Sequence, residues 1–444
     1  MSKTAQALFS KVRRGEALIG VIGLGYVGLP LSIAFGEAET RVLGFDLDPV
    51  KSRQIAAGKS YIRHVAGERI AALVQRGLFS ATADMGRLSE PDAILICVPT
   101  PLGRNFDPDL SFVASTCEAI ARTLRPGQLI VLESTTYPGT TRELVQPILE
   151  RNGLKAGVDF YLAFSPERED PGNLDFTTAR IPKVIGADDR ESRALAIAVY
   201  ERFAANLVPV SSSATAEAVK ITENVFRAVN IALVNELKLI YGSMGVDIWE
   251  VIDAAKTKPF GFMPFYPGPG LGGHCVPIDP FYLAWKARER GMRTRFIELA
   301  GEINSAMPEH IVEVLAGALK ERVGKGLDGS RILILGLAYK KNVDDTRESP
   351  SLRLIELIEA RGAEAAYHDP FVPEIPLTRE HADLAGRRSW AWDLEEIASY
   401  DAVLIATDHD GVDYRGLAER SRLIVDARNA CARAGADLAR VVPA

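Results

Sequence analysis

The sequence predicts an α/β protein in which two Rossmann-like domains are joined by a long central helix and a helical middle domain. Short apolar runs recur in the first and last thirds of the chain, and such runs are typical of buried parallel strands. The segment 211–241 between them contains no Gly or Pro, and its apolar residues recur at helical spacing. We therefore place domain boundaries at 1–210, 211–318 and 319–444.

The composition is that of a globular protein of several domains, with 444 residues, 47% hydrophobic and 25% charged. The net charge of −6 excludes a general attraction to nucleic acid or to an anionic membrane. Four cysteines without CxxC spacing and six scattered histidines indicate neither a disulfide framework nor a metal site. The apolar run 17–35 reaches transmembrane length, but its glycines and Pro30 favour a strand, a turn and a helix. With no signal peptide visible, we expect a cytoplasmic protein.

A glycine-rich turn follows the first predicted strand, 18–22, and leads into a helical pattern; it reads Gly23-Leu24-Gly25-Tyr26-Val27-Gly28. The next predicted strand, 41–46, ends in an acid, Asp46. This order is the dinucleotide fingerprint, in which glycines admit a pyrophosphate to the start of a helix. Asp46 would accept hydrogen bonds from a ribose and would repel a 2′-phosphate, which favours NAD over NADP. The alternative is a glycine turn that binds no ligand.

Polar loops follow three further predicted strands, 93–98, 129–132 and 161–164. They contain Thr100, the segment 133–136, and the segment 165–168. Ligands of open α/β sheets bind at the carboxyl ends of the strands, so these loops are candidate site elements.

The segment 211–241 predicts one helix of about 30 residues, long enough to span a domain of roughly 45 Å. We expect it to form a spine and a dimer surface; the alternative is a broken pair of helices. Lys220 and Asn224 lie four residues apart on this helix and share a face. A desolvated Lys can act as a base or stabilise an oxyanion, whereas an exposed helical Lys is the common structural alternative.

The last third predicts a second Rossmann-like unit, with strands at 332–335, 365–369, 402–406 and 423–425. Its first turn lacks the glycine fingerprint and carries lysines instead. Lys340, Arg347 and Arg428 follow predicted strands or turns, so we expect them to bind an anionic ligand through side-chain charge. We interpret Lys341 as a surface residue.

The segment 267–275 contains four glycines and two prolines before Cys275, and a helical pattern follows it. A thiol near a helix N-terminus has a lowered pKa and is a better nucleophile. The glycines allow close approach of a ligand and provide N–H donors for an oxyanion. The structural alternative is a small buried residue in a tight turn. We interpret the adjacent His274 as structural.

Taken together, these motifs resemble the nucleotide-sugar dehydrogenases of the UDP-glucose/GDP-mannose 6-dehydrogenase family over essentially the whole chain. The resemblance rests on the turn 23–29, Ser165-Pro166-Glu167, Lys220 with Asn224, Gly272-Gly273-His274-Cys275 with Asp279, and Asp345-Thr346-Arg347-Glu348-Ser349. It implies an NAD domain, a helical dimer spine and a UDP-sugar domain, and a four-electron oxidation of a sugar C6 alcohol with two NAD⁺.

The resemblance also implies residue roles. The catalytic residues would be Cys275, Lys220, Asn224, Asp279, Glu167 and Thr135. The cofactor-binding residues would be Gly23, Gly25, Tyr26, Val27, Gly28, Asp46, Lys51, Thr100, Thr135 and Arg347. The substrate-binding residues would be Glu167, Arg168, Lys220, Asn224, Tyr266, Gly272, Lys340 and Arg428. The partners implied are a UDP-sugar and a second copy of the chain, as a homodimer or higher homo-oligomer, with no metal.

Within the family, the segments 165–172 and 258–262 are similar to the UDP-N-acetylglucosamine 6-dehydrogenase branch. UDP-glucose enzymes commonly carry a Lys where this chain has Ile278, and often an Arg shortly before the glycine run. Here no Arg lies between Arg227 and Arg288, and aromatic residues fill that stretch. We therefore expect a bulkier 2-acetamido sugar, with UDP-glucose or another UDP-N-acetylhexosamine as the alternative. A two-electron β-hydroxyacid-type dehydrogenase and a non-catalytic NAD-binding regulator are more remote alternatives.

Overall fold

The computed structural model describes residues 1–63, 65–103, 107–168, 179–273, 276–378 and 380–444. The chain divides into two compact units. The first contains residues 1–223 and 281–292, and the second contains residues 224–280 and 293–444.

The first unit is built on a sheet in which eight strands are found among the described residues. The strands are β1 (Leu18–Ile22), β2 (Arg41–Phe45), β3 (Phe79–Thr82), β4 (Ala93–Ile96), β5 (Leu129–Leu132), β6 (Tyr161–Phe164), β7 (Lys183–Gly186) and β8 (Leu207–Val210). Their order is β3-β2-β1-β4-β5-β6-β7-β8. The first six are parallel in the dinucleotide-fold order, β7 runs antiparallel to β6, and β8 runs parallel to β7.

Helices cover both faces of this sheet. They are α1 (Lys3–Arg13), α2 (Gly28–Glu37), α3 (Pro49–Ala56), α4 (Gly67–Gln75), α5 (Ser111–Thr123), α6 (Gln146–Leu149), α7 (Arg190–Tyr200) and the first part of α8 (Ser213–Ser243). In β4, Ala93 and Leu95 pack in one core while Ile94 and Ile96 pack in another. Because both faces are buried, the strands are continuous apolar runs.

The second unit contains a sheet of strands that are all parallel, with the order β10-β9-β11-β12-β13. These are β9 (Arg331–Leu335), β10 (Glu364–His368), β11 (Ala402–Ile405), β12 (Ile424–Asp426) and β13 (Val441–Pro443). The remaining helices are α9 (Ile248–Ala255), α10 (Asp279–Glu289, most of which belongs to the first unit), α11 (Arg295–Ala318), α12 (Pro350–Glu359), α13 (Leu394–Ile397), α14 (Tyr414–Arg420) and α15 (Ala430–Arg433). The strand order reverses between β9 and β11, which is where ligands bind in doubly wound sheets.

The predicted fold class is confirmed. Strands β1, β5 and β6 have the predicted bounds, and α8 is one continuous helix of 31 residues. The sequence did not predict β3, β7, β8 and β13, which are short and, in β3, β8 and β13, largely solvent-accessible. The predicted strand 93–98 is too long, because β4 ends at Ile96; Cys97 follows it, is partly exposed and packs against the core. No helix of the described residues is long and apolar enough to cross a membrane.

Candidate active site

The glycine turn after β1 has the geometry that a dinucleotide requires. Gly23 has a φ of 90°, and a Cβ added there would lie 2.5 Å from the Cys97 carbonyl oxygen. A Cβ at Gly28 would overlap the Gly23 carbonyl oxygen, whereas one at Gly25 would meet nothing within 4 Å. Gly23 and Gly28 are therefore needed by the turn itself, and Gly25 leaves open space at the start of α2. The cap residue of α2, Val27, makes no side-chain hydrogen bond, so no side chain caps the helix end.

Asp46 directly follows β2, beside the glycine turn. Its Oδ2 accepts hydrogen bonds from the Leu24 N–H at 2.9 Å and from Lys51 Nζ at 2.8 Å. The structure thus brings two predicted cofactor residues, Asp46 and Lys51, together. The Tyr61 hydroxyl donates to the Leu24 carbonyl at 2.6 Å, and burial together with the nearby Asp46 carboxylate raises the pKa of Tyr61. The Tyr61 phenol therefore remains a hydrogen-bond donor. Its bond to Leu24 helps to hold the glycine turn beside Asp46.

The loops after β4 and β5 are tied to each other. Ser134 Oγ donates to the Val98 carbonyl at 2.7 Å, and the next residue is the predicted Thr135, which is partly buried. Thr100 is buried, and its carbonyl accepts a hydrogen bond from the Tyr282 hydroxyl of α10. These contacts hold the predicted loop residues at the carboxyl edge of the sheet.

An open pocket lies in the first unit. Its lining residues are Val27, Leu31, Glu133, Glu167, Arg168, Ile181 and Lys183. Val27 and Glu167 are predicted site residues that therefore share one cavity. The pocket joins the start of α2 to the ends of β5 and β6, where a ligand of this sheet is expected.

A buried ion pair in the wall of this pocket was missed by the sequence prediction. Lys183 Nζ lies 2.5 Å from Glu133 Oε2, and the two side chains are 8% and 0% exposed. The Tyr200 hydroxyl donates to the other oxygen of Glu133, and burial and that carboxylate raise the pKa of Tyr200. Lys183 also lies 3.4 Å from the Pro166 carbonyl. The only signal in the sequence was a charged residue at the edge of each apolar run.

Glu167 and Arg168 each pair with a residue of α8. Glu167 Oε2 lies 3.3 Å from Lys220 Nζ, and both side chains are largely buried. Arg168 donates to Glu223 Oε1 at 2.6 Å and to the Pro182 carbonyl at 2.7 Å. Two ion pairs of opposite polarity therefore hold the loop against α8. Within the first unit, the contacts of Arg168 with Glu223 and Pro182 stabilise the loop that carries Glu167.

In the second unit, Asn224 and Asp279 form a buried pair. Asn224 Nδ2 donates to Asp279 Oδ2 at 2.6 Å. Asn224 lies one helical turn beyond Lys220 on α8, and Asp279 is the first residue of α10. The structure thus brings two predicted catalytic residues, Asn224 and Asp279, together.

The glycine run before Cys275 packs closely against other parts of the second unit. A Cβ at Gly272 would lie 2.5 Å from Tyr339 Cβ, and the Gly273 N–H donates to the Arg347 carbonyl at 2.9 Å. Gly273 has a φ of 84°, which favours glycine. Cys275 and His274 lie outside the described residues.

The other predicted ligand residues of the second unit are placed as follows. Arg428 donates through Nε to the Ala406 carbonyl at 2.9 Å, and burial lowers its pKa. Arg347 is held by its neighbour Asp345, with the shortest contact at 2.6 Å. Tyr266 stacks on Trp249 with ring centroids 5.3 Å apart. Lys340 lies in the loop after β9, at the point where the strand order reverses.

Three family models match most of the chain. They describe the NAD binding domain (residues 17–204), the central domain (214–306) and the UDP binding domain (333–433) of the UDP-glucose/GDP-mannose dehydrogenase family. A UDP-N-acetyl-D-mannosamine dehydrogenase of Pyrococcus horikoshii is 34% identical over 418 residues, 93% of this chain and 95% of that protein. A UDP-N-acetyl-D-glucosamine 6-dehydrogenase of Pseudomonas aeruginosa is 34% identical over 395 residues, 88% and 90% of the two chains. The solved structure of a UDP-D-ManNAc dehydrogenase from Pyrococcus horikoshii superposes with a TM-score of 0.83 at 33% identity, covering 93% of this chain and 96% of that one.

Proposed function

The chain belongs to the UDP-glucose/GDP-mannose dehydrogenase family and is an NAD-dependent dehydrogenase of UDP-sugars, and from that premise we propose that it oxidises the C6 alcohol of UDP-N-acetyl-D-glucosamine to the carboxylate. NAD⁺, which the glycine turn 23–28 and Asp46 would hold, would supply the hydride acceptor for each of two oxidations. The observation that carries the proposal lies in the first unit: Glu167 lines the same pocket as Val27 of the glycine turn and pairs with the buried Lys220.

The first oxidation requires removal of the C6 hydroxyl proton while hydride leaves the carbon. We assign this task to Lys220, acting through an ordered water; its side chain is largely buried and lies 3.3 Å from Glu167. Asp279 would take part in the same proton transfer. Asn224 would donate a hydrogen bond to the developing oxyanion, a contribution of roughly 3–4 kcal/mol for one donor.

In the second oxidation hydride must leave from a tetrahedral carbon, and a covalent adduct of the aldehyde with the enzyme provides one. The Cys275 thiolate adds to the aldehyde carbon and gives a thiohemiacetal. Loss of hydride from that carbon gives a thioester. Water, aligned by Glu167, Thr135 and Asp279, hydrolyses the thioester to the carboxylate and releases the thiol.

The acetamido sugar is favoured by Ile278 in place of a Lys, by the absence of Arg from 228–287, and by the aromatic stretch that includes Phe260, Phe262 and Tyr266. Relatives include enzymes named for UDP-N-acetylglucosamine and for UDP-N-acetylmannosamine, so both belong in the test. UDP-N-acetylglucosamine, UDP-N-acetylmannosamine, UDP-N-acetylgalactosamine and UDP-glucose are compared by kcat/KM for NAD⁺ reduction. A higher kcat/KM with UDP-glucose, UDP-N-acetylmannosamine or UDP-N-acetylgalactosamine than with UDP-N-acetylglucosamine overturns the substrate assignment.

Cys275→Ser tests the covalent step. The variant should bind NAD and lose nearly all conversion to the uronic acid, because a Ser hydroxyl is a far weaker nucleophile and forms no thioester. Cys97→Ser is the matched control, since Cys97 is a partly exposed thiol with no predicted role. Two NADH per sugar distinguishes the reaction from that of a two-electron dehydrogenase. Release of carboxylate by Cys275→Ser at near the wild-type rate contradicts the scheme.

The proposed enzyme is a homodimer or a higher homo-oligomer that uses α8 as its contact surface. This helix exposes large apolar side chains, including Phe226 (49%), Leu233 (47%) and Ile240 (41%). Leu233→Glu should lower the mass measured by light scattering to that of the monomer, 48.2 kDa. An unchanged mass for this variant rules out α8 as the contact surface.

A further inference from the structure

Asp369 occupies in the second sheet the position that Asp46 occupies in the first. Each residue follows the strand that pairs with the first strand of its sheet, β10 for Asp369 and β2 for Asp46. In each sheet a glycine after the first strand donates its N–H to the last residue of that neighbouring strand, Gly23 to Phe45 at 2.8 Å and Gly336 to His368 at 2.9 Å. The two acids are therefore structural equivalents.

Their surroundings differ. The Asp46 side chain is 11% exposed, whereas that of Asp369 is fully buried. Asp369 Oδ1 accepts from the N–H groups of Phe371 and Val372, at 2.7 and 3.1 Å. Its Oδ2 accepts from the N–H groups of Leu337 and Ala338, at 2.7 and 2.8 Å. An acid with this many buried donors cannot receive a ribose.

A further donor to Asp369 is His409, whose Nε2 lies 3.0 Å from Oδ2. The other ring nitrogen, Nδ1, accepts the Asn342 N–H at 3.0 Å. Because Nδ1 is an acceptor, the ring proton is on Nε2 and is donated to Asp369. The hydrogen bonds therefore select one neutral tautomer, and the ring connects Asn342 to the acid.

These contacts hold the loop 337–342 at both ends. Leu337 and Ala338 are bound by Asp369 on one side of Lys340, and Asn342 is bound by His409 on the other. Thr407 Oγ1 adds a bond to the Ala338 carbonyl at 2.7 Å. The loop lies where the strand order of the second sheet reverses, so its conformation decides where Lys340 stands at the ligand-binding edge.

The same loop supports the segment that precedes Cys275. Tyr339 lies between the bound residues, and Gly272 and Gly273 approach its side chain so closely that an added Cβ would lie 2.5 and 3.0 Å from it. A shift of the loop would therefore move this contact as well as Lys340.

We propose that Asp369 and His409 are positioning residues for substrate binding: the acid that would hold a ribose in a dinucleotide domain instead fixes, through His409, the loop that presents Lys340 to the diphosphate of the UDP-sugar. The inference rests on the proposed function, because it takes a UDP-sugar to be the ligand of this unit. Neither residue touches the substrate; both act through the backbone of 337–342.

Two substitutions separate the two hydrogen bonds of the ring. His409→Gln keeps a donor near the place of Nε2 and loses the acceptor for Asn342, whereas His409→Asn keeps an acceptor near Nδ1 and loses the donor to Asp369. Tyr414→Phe is the matched control, since the Tyr414 hydroxyl donates to the His409 carbonyl at 3.1 Å and its loss leaves the ring bonds in place.

UDP is the probe, and its Kd is measured by calorimetry with the full-length protein. Both His409 variants should bind UDP roughly 3- to 10-fold more weakly, the equivalent of one lost hydrogen bond, with the Kd of NAD unchanged. Tyr414→Phe should lower the melting temperature and leave the Kd of UDP unchanged. KM for the UDP-sugar should rise in the His409 variants while KM for NAD stays constant.

Folded His409 variants that bind UDP as tightly as the wild type overturn the positioning role, because a purely structural pair would change stability alone. Failure of the wild-type chain to bind UDP overturns the proposed function and this inference together. The two failures are therefore distinguishable.

Discussion

The buried pair of Lys183 and Glu133 offers a sharp test of the packing described for the pocket wall. Lys183→Met replaces the cation with an apolar chain of similar length. Glu133, whose side chain is fully buried, then keeps only the Tyr200 hydroxyl as a donor from this network. Removing one partner of a buried pair is costly because it leaves an uncompensated charge in a medium of low dielectric.

The expected loss is about 3–5 kcal/mol of unfolding free energy. For a cooperative unit of 150–250 residues, each kcal/mol lowers the melting temperature by about 2–4 °C. Lys183→Met should therefore lower the melting temperature of the first unit by roughly 6–20 °C. The double variant Glu133→Gln/Lys183→Met should recover most of that loss, because no buried charge remains.

Lys183 also lies 3.4 Å from the Pro166 carbonyl, the residue before Glu167. The double variant should therefore remain less active than the wild type even where its stability is restored, since the loop that carries Glu167 has lost a donor. The activity loss should appear in kcat more than in the Kd of NAD.

Calorimetry and urea unfolding of Lys183→Met and of the double variant measure the stability, and Lys155→Met serves as the control. Lys155 is 63% exposed and pairs with Glu150, and surface pairs of this kind contribute about 0–1 kcal/mol. If Lys183→Met costs no more than Lys155→Met, or if the double variant is less stable than Lys183→Met, the account of a buried, mutually dependent pair is refuted.

Three further predictions concern the first unit. Gly25→Ala should fold normally and lose NAD binding, because its Cβ enters open space at the turn, whereas Gly28→Ala should fail to fold, because its Cβ overlaps backbone; circular dichroism and NAD titration distinguish the two. Asp46→Ala should weaken NAD binding by about 10- to 100-fold and reduce discrimination against NADP, and equal wild-type kcat/KM for NAD and NADP would show that Asp46 is misassigned. Burial raises the pKa of Asp92, but hydrogen bonds from Lys11 and the Leu18 N–H outweigh it, so the net pKa is lowered. The stability that Asp92 provides is therefore full above the ordinary Asp pKa and is lost as the pH falls through the lowered value. Asp92→Asn should thus be less stable than the wild type at neutral pH, with a difference in melting temperature that shrinks as the pH falls below the ordinary Asp pKa.

The elements predicted well are those whose signal is local. Strands β5 and β6 are fully buried runs, β1 is buried after its first residue, and α8 has no helix-breaking residue from Ser213 to Tyr241. The strand β8 was missed because Pro209 lies in it and its residues are partly exposed, features that weaken a strand signal. Cys97 was assigned to a strand because its run is apolar. In the structure the register of β4 with β1 ends at Ile96, although the Cys97 N–H still donates to the Ile22 carbonyl at 2.8 Å.

The site residues were predicted as single positions, and their partners were not. Arg168 was assigned to the substrate, yet in the structure its guanidinium engages Glu223 and Pro182, which lie 55 and 14 residues away. The pairing of Glu133 with Lys183 depends on β7 joining the sheet antiparallel to β6. No local pattern in the sequence predicts this strand pairing. A buried charge requires a partner, but the sequence does not say which of the available cations supplies it.

The two acids that follow β2 and β10 show that the role of a motif residue depends on its remaining hydrogen-bond acceptor capacity as well as on its position. Asp46 and Asp369 follow equivalent strands, and a pattern search would assign both to a ribose. Asp46 keeps a side chain that is 11% exposed beside an open glycine turn, so a ligand hydroxyl can still reach it. Asp369 has all of its acceptor capacity taken by four backbone N–H groups and His409, so the same residue type at the same place supports a loop instead. This difference favours recognition of the ligand of the second unit by side-chain charge, for which Lys340 and Arg428 are the predicted residues.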